Sequence, residues 1–436
     1  MIALALVGCG AVHEDALHRD LGEARARLRP AEEEAPLDGS LDGYVARALA
    51  RSPSLRAGYQ RWRAETLRIG AARALPDPTV SYGFYALPVE TRVGPQRHPL
   101  KARQSVTSPT RLTASGHAQS HPARPAQTAV QARALQLRAE VADAWWRLWA
   151  LRAVRDAQRE QVALLEAAAE SVRARIEVGQ ATLADAAQLE LRRARLDDAL
   201  AGLDEEERAA EAALRASIAA GPDEPLPTTR EAADPALPPD ASALEARLTA
   251  HPELLAFAAR AEAHDARARA FEAERLPRFV VGVDWIETGE AASPVPGSGD
   301  DALIFDVGVS IPLWQGAYED RQRAAEAEGV AERADAEAAL LSARAALAEA
   351  TSRIRDTHRR LRLYERTLIP QARGAYESVI GAQVTGRAPV AAVLLAQREL
   401  LEISVEAARA RAAHGAAWAR LEALVGAPRS ELGRSR

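Results

Sequence analysis

Few residues in this sequence have the type and spacing needed to bind a metal ion or catalyse a reaction. His117 and His121 lie four residues apart, which would bring two imidazoles to one face of a helix. Pro122 interrupts that helix, however, and no nearby carboxylate or thiol completes a set of metal ligands. The sequence has no P-loop, no Gly-rich dinucleotide fingerprint and no HExxH motif. We therefore expect no enzyme activity, no metal site and no cofactor.

Cys9 is the only cysteine, and it follows an apolar stretch at positions 1–8. The tetrapeptide Leu6-Val7-Gly8-Cys9 resembles the lipobox of bacterial lipoproteins, in which the cysteine is lipidated after signal cleavage. No Lys or Arg precedes the stretch and the stretch is short, unlike a complete signal peptide. A start codon upstream of Met1 would explain both departures. We predict that Cys9 is lipidated; the alternative is a disordered N-terminus with a chance cysteine.

The composition favours long helices over a compact enzyme fold. Alanine, arginine, glutamate and leucine are abundant, and only 4% of residues are aromatic. The net charge of -5 argues against a nucleic-acid-binding protein. No run of about 18 apolar residues occurs, so no membrane-spanning helix is predicted. Attachment to a membrane would then require a barrel or a lipid.

The chain is built from two similar halves. Pro53 and Pro252, Pro76 and Pro277, and Gly179 and Gly386 mark matching positions about 200 residues apart. The predicted segments are a signal or lipobox remnant at 1–9, a tether at 10–40, repeat 1 at 41–221, a linker at 222–240, repeat 2 at 241–428 and a tail at 429–436.

Each repeat contains one stretch with the two-residue period of a β-hairpin, at 79–107 and at 279–312. In the second, Phe305 and Val307 alternate with Gly308 and Ser310, which predicts a lipid-facing and a lumen-facing side. Four strands cannot close a barrel, and open edges cannot face lipid. Chains must therefore associate: a dimer would supply eight strands and a trimer twelve.

Helices are predicted on both sides of the hairpins. One spans 41–74; another spans 128–177 and, after a short break, a further helix continues to 220. In the second repeat a helix spans 318–382 and, after a break, a last helix continues to 424. A heptad at Leu340, Leu347, Ile354, Leu361 and Leu368 predicts a helix–helix seam. The cluster of Trp145, Trp146 and Trp149 is predicted to pack between helices. An ordinary coiled-coil scaffold would explain the heptads but not the strands or the duplication.

The duplicated helix–Leu-Pro–hairpin units, the strand-end motif VSIPLWQG at 309–316 and the Gly179 to Asp185 turn resemble the TolC family of outer-membrane factors, including its lipidated members. The resemblance covers Leu41 to Pro428. It implies a mainly α fold with a small β part, in which duplicated long-helix hairpins form an α-barrel tunnel. It also implies a homotrimer with a twelve-stranded transmembrane β-barrel in the outer membrane and a periplasmic tunnel.

The resemblance further implies passive efflux of drugs, metal ions or other small solutes. The duct would dock on a periplasmic adaptor (membrane fusion protein), which connects it to an inner-membrane pump such as an RND transporter. The residues predicted to dock the adaptor lie in the two tips, 178–185 and 384–392, and are Val178, Gly179, Thr182, Gly386 and Arg387. Asp185 is predicted at the pore constriction.

Two departures from the family pattern and two alternatives accompany these predictions. Ala392 stands where an acidic residue is common, and Pro122 and Pro125 interrupt a stretch, 117–127, that would be smoothly helical in the family. The tips could be turns required only for folding. The whole protein could be a non-transport coiled-coil scaffold in the periplasm or at the membrane periphery.

Overall fold

The computed structural model describes residues 19–24, 37–228, 236–293 and 295–432. Cys9 lies outside the described residues, and so do most of the predicted tether and part of the predicted linker. The lipidation of Cys9 therefore stays a prediction.

The described residues are mainly helical. The helices are α1 (Leu41–Arg51), α2 (Pro53–Ala72), α3 (Pro109–Ser120), α4 (Ala123–Glu177), α5 (Leu183–Ile218), α6 (Ala241–Leu248), α7 (Pro252–Glu274), α8 (Gln315–Leu363), α9 (Ile369–Val384), α10 (Val390–Val425) and α11 (Arg429–Leu432). The strands are β1 (Thr79–Tyr82), β2 (Val89–Thr91), β3 (Gly94–Val106), β4 (Arg278–Thr288) and β5 (Ala302–Ser310). The prediction of a mainly α fold with a small β part is confirmed.

The predicted helix at 41–74 is in fact two helices. Ser52 separates α1 from α2, because Pro53 disfavours helical backbone in the residue before it. The Ser52 side chain accepts a hydrogen bond from the Leu55 backbone N–H at 3.3 Å and so caps α2. Pro252 stands in the same way at the start of α7, after the short helix α6.

The proline-containing stretch at 117–127 is mostly helical. Ser108 caps α3, and its side chain accepts from the Arg111 backbone N–H at 3.3 Å. Only His121 and Pro122 separate α3 from α4, so the prolines interrupt the helix for just two residues. The predicted start of helix at 128 was therefore too late.

The long helix of the second repeat contains one irregular turn. Between α8 and α9, residues Tyr364–Leu368 form a π-helical turn. Pro370 follows directly and has no N–H to give to the carbonyl of Arg366, which lies inside this turn. The predicted heptad seam holds up to that point, since Leu347, Ile354 and Leu361 are all buried.

All strands belong to one antiparallel sheet with the order β1-β3-β4-β5, and β2 pairs with β3. Lys101 of β3 lies opposite Asp284 of β4, and Gly282 of β4 lies opposite Asp306 of β5. Both predicted hairpins are present. The short strand β2 and the early start of β3 at Gly94 were not predicted, because Pro95 and Pro99 hide the alternation there.

The described chain divides into two compact units, and each unit takes segments from both repeats. Of the residues that the structure describes, unit 1 takes those within 1–24, 58–129 and 255–337 and holds the sheet; unit 2 takes those within 25–57, 130–254 and 338–436. Within unit 2, one core joins α1, α4 and α5 through residues such as Tyr44, Leu148 and Leu214. Among the described residues, no helix is long and apolar enough to cross a membrane.

Candidate functional site

The two turns that join the long helices are built on the same backbone motif. Tip 1 (residues 178–182) joins α4 to α5, and tip 2 (residues 385–389) joins α9 to α10. In tip 1, Gly179 has φ of 71° and its N–H donates to the Ile176 carbonyl at 3.0 Å, while the Gln180 N–H donates to the Arg175 carbonyl at 2.8 Å. This is a Schellman motif, which satisfies helix C-terminal carbonyls and requires a left-handed residue.

Tip 2 repeats this arrangement. Gly386 has φ of 76°, its N–H donates to the Gln383 carbonyl at 2.9 Å, and the Arg387 N–H donates to the Ala382 carbonyl at 2.8 Å. The Arg387 side chain lies along the turn, with its Nε donating to Thr385 Oγ1 at 3.0 Å. Both glycines therefore have a backbone role that a residue with a side chain would fill only with strain.

Tip 1 continues into α5 through a capping box. Thr182 Oγ1 accepts from the Asp185 N–H at 3.2 Å, and Asp185 Oδ2 accepts from the Thr182 N–H at 2.9 Å and from the Thr182 hydroxyl at 2.8 Å. These hydrogen bonds, above all the backbone one, hold the pKa of Asp185 below its usual value. The predicted site residues Thr182 and Asp185 thus stabilise the first turn of α5.

Tip 2 has no such box. Pro389 occupies the cap position of α10, and no side chain accepts a hydrogen bond from the first turn of that helix. Val390 is the first helical residue of α10. Ala392, six residues after Gly386 as Asp185 is six after Gly179, cannot supply a carboxylate.

One arginine connects the two tips. Arg175, in the last turn of α4, donates through Nη2 to the Gln180 carbonyl at 3.1 Å and through Nη1 to the Gln383 carbonyl at 2.5 Å. A guanidinium group suits this position because the last carbonyls of a helix lack partners and carry partial negative charge. Sequence reasoning missed Arg175, although a basic residue four positions before a turn glycine is a usable signal.

The sheet presents one apolar and one polar face, as the alternation predicted. Phe305 and Val307 are 78% and 73% exposed and share a face with the exposed side chains of Phe279, Val281 and Trp285. Gly308 and Asp306 lie on the opposite face. Gln104 is a polar residue on the apolar face, and its Nε2 donates to the Pro76 and Ser105 carbonyls at 2.7 and 2.8 Å.

Residues 243–427 match the family model described as outer membrane efflux protein. The matched segment nearly coincides with repeat 2 and includes α8, α9, tip 2 and α10. No curated protein matches the sequence of the chain as a whole.

Solved structures extend the likeness to both repeats. CusC superposes with a TM-score of 0.73 at 16% identity, over 92% of this chain and 98% of CusC. The outer-membrane channel OprN gives 0.71 at 20% identity, over 93% and 95%. The outer membrane protein VceC from Vibrio cholerae gives 0.70 at 19% identity, over 89% and 96%. At these identities the similarity shows a shared fold, which is the TolC-like fold that the sequence predicted.

The predicted docking residues lie close together in the two tips. Val178, Gly179, Thr182, Gly386 and Arg387 are all exposed, and Arg175 holds their two turns together. Asp185 is half-buried beside them. Sequence reasoning missed three further tip residues with exposed apolar side chains, Leu183, Val384 and Leu395, because single exposed apolar residues on a helix carry no periodic signal.

The structure also shows the surroundings of two other features discussed from the sequence, the tryptophan cluster and the histidine pair. Trp145 and Trp149 are buried in the core of unit 2, and Trp145 Nε1 donates to the Gly39 carbonyl at 3.1 Å, so the prediction of packing is confirmed. The His117 and His121 rings lie 6.1 Å apart. Within the described ranges, no group of three or more His, Cys, Asp or Glu side chains is placed to hold a metal ion.

Proposed function

We propose that this chain is one protomer of a homotrimeric exit duct in the outer membrane, through which small solutes pass passively from the periplasm to the exterior. The observation that carries the proposal is the sheet, whose exposed side chains are largely apolar on one face, while charged side chains such as Asp284 and Asp306 lie on the other. A sheet with these two faces fits between lipid and a water-filled path. A non-transport coiled-coil scaffold would leave the apolar face unexplained.

The edges of the sheet support association of several copies. β1 and β5 are each paired on one side only among the described strands. Unpaired backbone groups are not tolerated in lipid, so β5 of one copy must continue into β1 of the next until the sheet closes. Three copies would give twelve long strands, which exceeds the eight or so that a small closed barrel needs.

The first experiment tests the duct and its barrel together. The purified protein should migrate as a trimer on unboiled gels and should form conducting channels in planar lipid bilayers. Val307→Arg should weaken the trimer by about 2–4 kcal/mol because it places a charge in lipid, and Ser310→Arg should cost much less. Equal loss of trimer in the two variants, or the absence of conductance in the unmodified protein, would contradict the proposal.

We further propose that a lipid on Cys9 tethers the chain to the outer membrane. The support is the lipobox-like sequence at 6–9. Mass spectrometry of the mature N-terminus should find a diacyl- or triacyl-cysteine, and an unmodified Met1 would refute this. Cys9→Ala should still form trimers, since a closed barrel stays in the membrane without a lipid anchor.

The tips are proposed to dock a periplasmic adaptor that connects the duct to an inner-membrane pump of the RND type. Their support is an exposed apolar surface, Val178, Leu183 and Val384, on turns that are rigidly built. An adaptor with apolar side chains at its own end would bury this surface.

A docking variant must spare the structural roles of the tips. Leu183→Glu places a carboxylate in the first turn of α5, where negative charge is favourable, and removes apolar surface. Arg387→Gln removes the charge of tip 2. Both variants should form normal trimers but lose site-specific crosslinking to the adaptor and lose export. Arg208→Gln, an exposed change elsewhere on α5, is the matched control. Unchanged crosslinking and export would leave the tips with a folding role only.

Asp185 is proposed to line the pore constriction and to bias it toward cations. Its carboxylate is held near tip 1 by Thr182 and remains ionised because its pKa is lowered. Asp185→Asn keeps one oxygen for the capping box but removes the charge. The variant should show reduced cation preference in bilayer recordings with unchanged trimer content. A preserved preference would place the constriction at other residues.

A further inference from the structure

Four charged side chains form one cluster on the polar face of the sheet. Lys101 and Arg103 come from β3, Asp284 from β4 and Asp306 from β5. Asp284 receives two cations: Lys101 Nζ lies 3.3 Å from its Oδ2, and Arg103 Nη2 lies 3.2 Å from both of its carboxylate oxygens. Arg103 Nη2 also donates to Asp306 Oδ1 at 3.2 Å. The hairpin of repeat 1 thus supplies the positive charges and the hairpin of repeat 2 the negative ones.

The four groups are unequally exposed. The side chain of Asp284 is 10% exposed, whereas those of Lys101, Arg103 and Asp306 are 39%, 41% and 36% exposed. The buried carboxylate lies beneath the two cations. A solute above this face therefore meets two positive groups and one negative group, although the formal charges of the cluster cancel.

Some of the residues next to the cluster have a small side chain or none. A Cβ atom on Gly282 would lie 2.4 Å from Asp306 Oδ1, so glycine at this position lets the carboxylate lie flat on the strand. Gly308 and Ser105 lie on the same face next to it, opposite Val280. The partly exposed side chains of Lys101 and Arg103 share this face with Ile304, which lies opposite Asp284.

Strand register alone does not require this arrangement. The apolar alternation on the opposite face already fixes which residues pair, because a slip of one residue would exchange the two faces. One cation would also suffice to compensate one buried carboxylate. The second cation on Asp284 leaves positive charge at the surface.

We propose that Lys101 and Arg103 form a specificity-determining band that favours anionic solutes, such as those bearing carboxylate or phosphate groups, over cationic ones. This inference rests on the proposed function, since it takes the polar face to line the duct. Rings of Lys or Arg side chains select anions in other pores through the same electrostatic attraction. The band would act in series with the acidic residue at the tips, with the opposite sign.

The test uses the fact that Lys101 is the only lysine in the chain. The trimer is inserted in planar bilayers, the reversal potential is measured across a KCl gradient, and the channel is then treated with sulfo-N-hydroxysuccinimide acetate. Acetylation neutralises the Lys101 ammonium, and the chloride-to-potassium permeability ratio should fall about threefold. Lys101→Arg has no side-chain amine, so its ratio should be the same before and after treatment, which accounts for any reaction at the N-terminus.

A second variant changes the ratio in the opposite direction. Asp284→Asn leaves both cations without their shared carboxylate, so the chloride-to-potassium ratio should rise. If the channels conduct but the chloride-to-potassium ratio changes neither on acetylation nor in Asp284→Asn, the proposed anion-favouring band is wrong. The cluster would then serve only to pair the strands. A protein that forms no channels at all would instead contradict the proposed duct, so the two failures are distinguishable.

Discussion

Tip 1 and tip 2 end their first helix in the same way but begin their second helix differently. Gly179 and Gly386 form matching Schellman motifs, with corresponding hydrogen bonds that agree within 0.1 Å. Three and six residues later, Thr182 and Asp185 form a capping box in tip 1, whereas Pro389 and Ala392 form none in tip 2. The comparison shows that reversing the chain requires one backbone conformation, while starting the returning helix can be achieved by side-chain hydrogen bonds or by the fixed φ of proline.

The tips also differ in the side-chain hydrogen bonds that each donates to the other. Arg175, four residues before Gly179, donates to carbonyls of both tips; Ala382, four residues before Gly386, can donate to neither. Tip 2 therefore depends on a side chain from the first repeat, and tip 1 depends on none from the second in the contacts described. The variants below are ordered from the largest expected effect to the smallest.

Arg175→Met should loosen both tips at once. Hydrogen bonds from a charged donor contribute about 1.5–3 kcal/mol each, and this change removes one from each tip. We expect the opening free energy of the amides near Gly179 and Gly386 to fall by about 2 kcal/mol in hydrogen-exchange measurements. Arg173→Met, which removes only the exposed ion pair with Glu190, is the control. A change confined to tip 1 would show that the link between the tips is not maintained.

Replacing either turn glycine should cost the two tips equally. Gly179→Ala and Gly386→Ala each place a side chain at φ near +70°, which costs about 1–2 kcal/mol. Local amide exchange should report similar losses, because the neighbouring space is open in tip 1 and offers only an ordinary contact with Arg175 in tip 2. Gly381→Ala, inside α9 with nothing near its Cβ position, should instead be stabilising. A clearly larger loss in one tip would mean that the shared motif is not equally strained.

The cap of α5 should be sensitive to a change that has no counterpart in tip 2. Thr182→Ala should lower the local stability of the first turn of α5 by about 1 kcal/mol, and Thr182→Ser should largely preserve it. The reciprocal change, Ala392→Asp, should stabilise the start of α10 by roughly 0.3–1 kcal/mol through its charge near the helix N-terminus. Amide exchange at 183–186 and 390–393 measures both. An effect of Thr182→Ala on α10 would contradict the independence of the two caps.

Acid should affect tip 1 more than tip 2, by a small amount. The pKa of Asp185 is lowered in the folded chain, so its contribution is present above its ordinary value of 3.8 and is lost as pH falls through the lower folded value. Amide exchange at 182–186, corrected for the intrinsic rate at each pH, should therefore accelerate below pH 3.8. Amide exchange at 390–393 should not show this step, and neither should exchange at 182–186 in Asp185→Asn. A parallel step in both tips would assign it to global unfolding.

The sequence predicted most of the fold because its signals are local. The alternation from Phe279 to Trp285, the prolines after the short helices and the two turn glycines each specify a structure within a few residues. The split at Ser52 was missed because a proline can start a helix as well as end one, and only the cap geometry distinguishes the two cases.

The remaining features depend on contacts between distant residues. The partner of Arg175 in tip 2 is 208 residues away along the chain, and the pairing of Arg103 with Asp306 joins residues 203 apart. Such pairs require the register of the sheet or the packing of the helices, which no local pattern contains. The predicted docking residues were placed together in the tips, while docking, lipidation and the role of Asp185 in the pore stay predictions.

In the proposed trimer, the separation of charges between the hairpins would also help copies of the chain to avoid wrong pairing during assembly. The cations are on β3, and their carboxylate partners are on β4 and β5. Two β3 strands from different copies would bring like charges opposite one another, which is unfavourable in a sheet, whereas β3 and β4 of one copy attract. Each chain is thereby favoured to join its own two hairpins first, so that only the uncharged edge strand β1 and the strand β5 remain to find a neighbour.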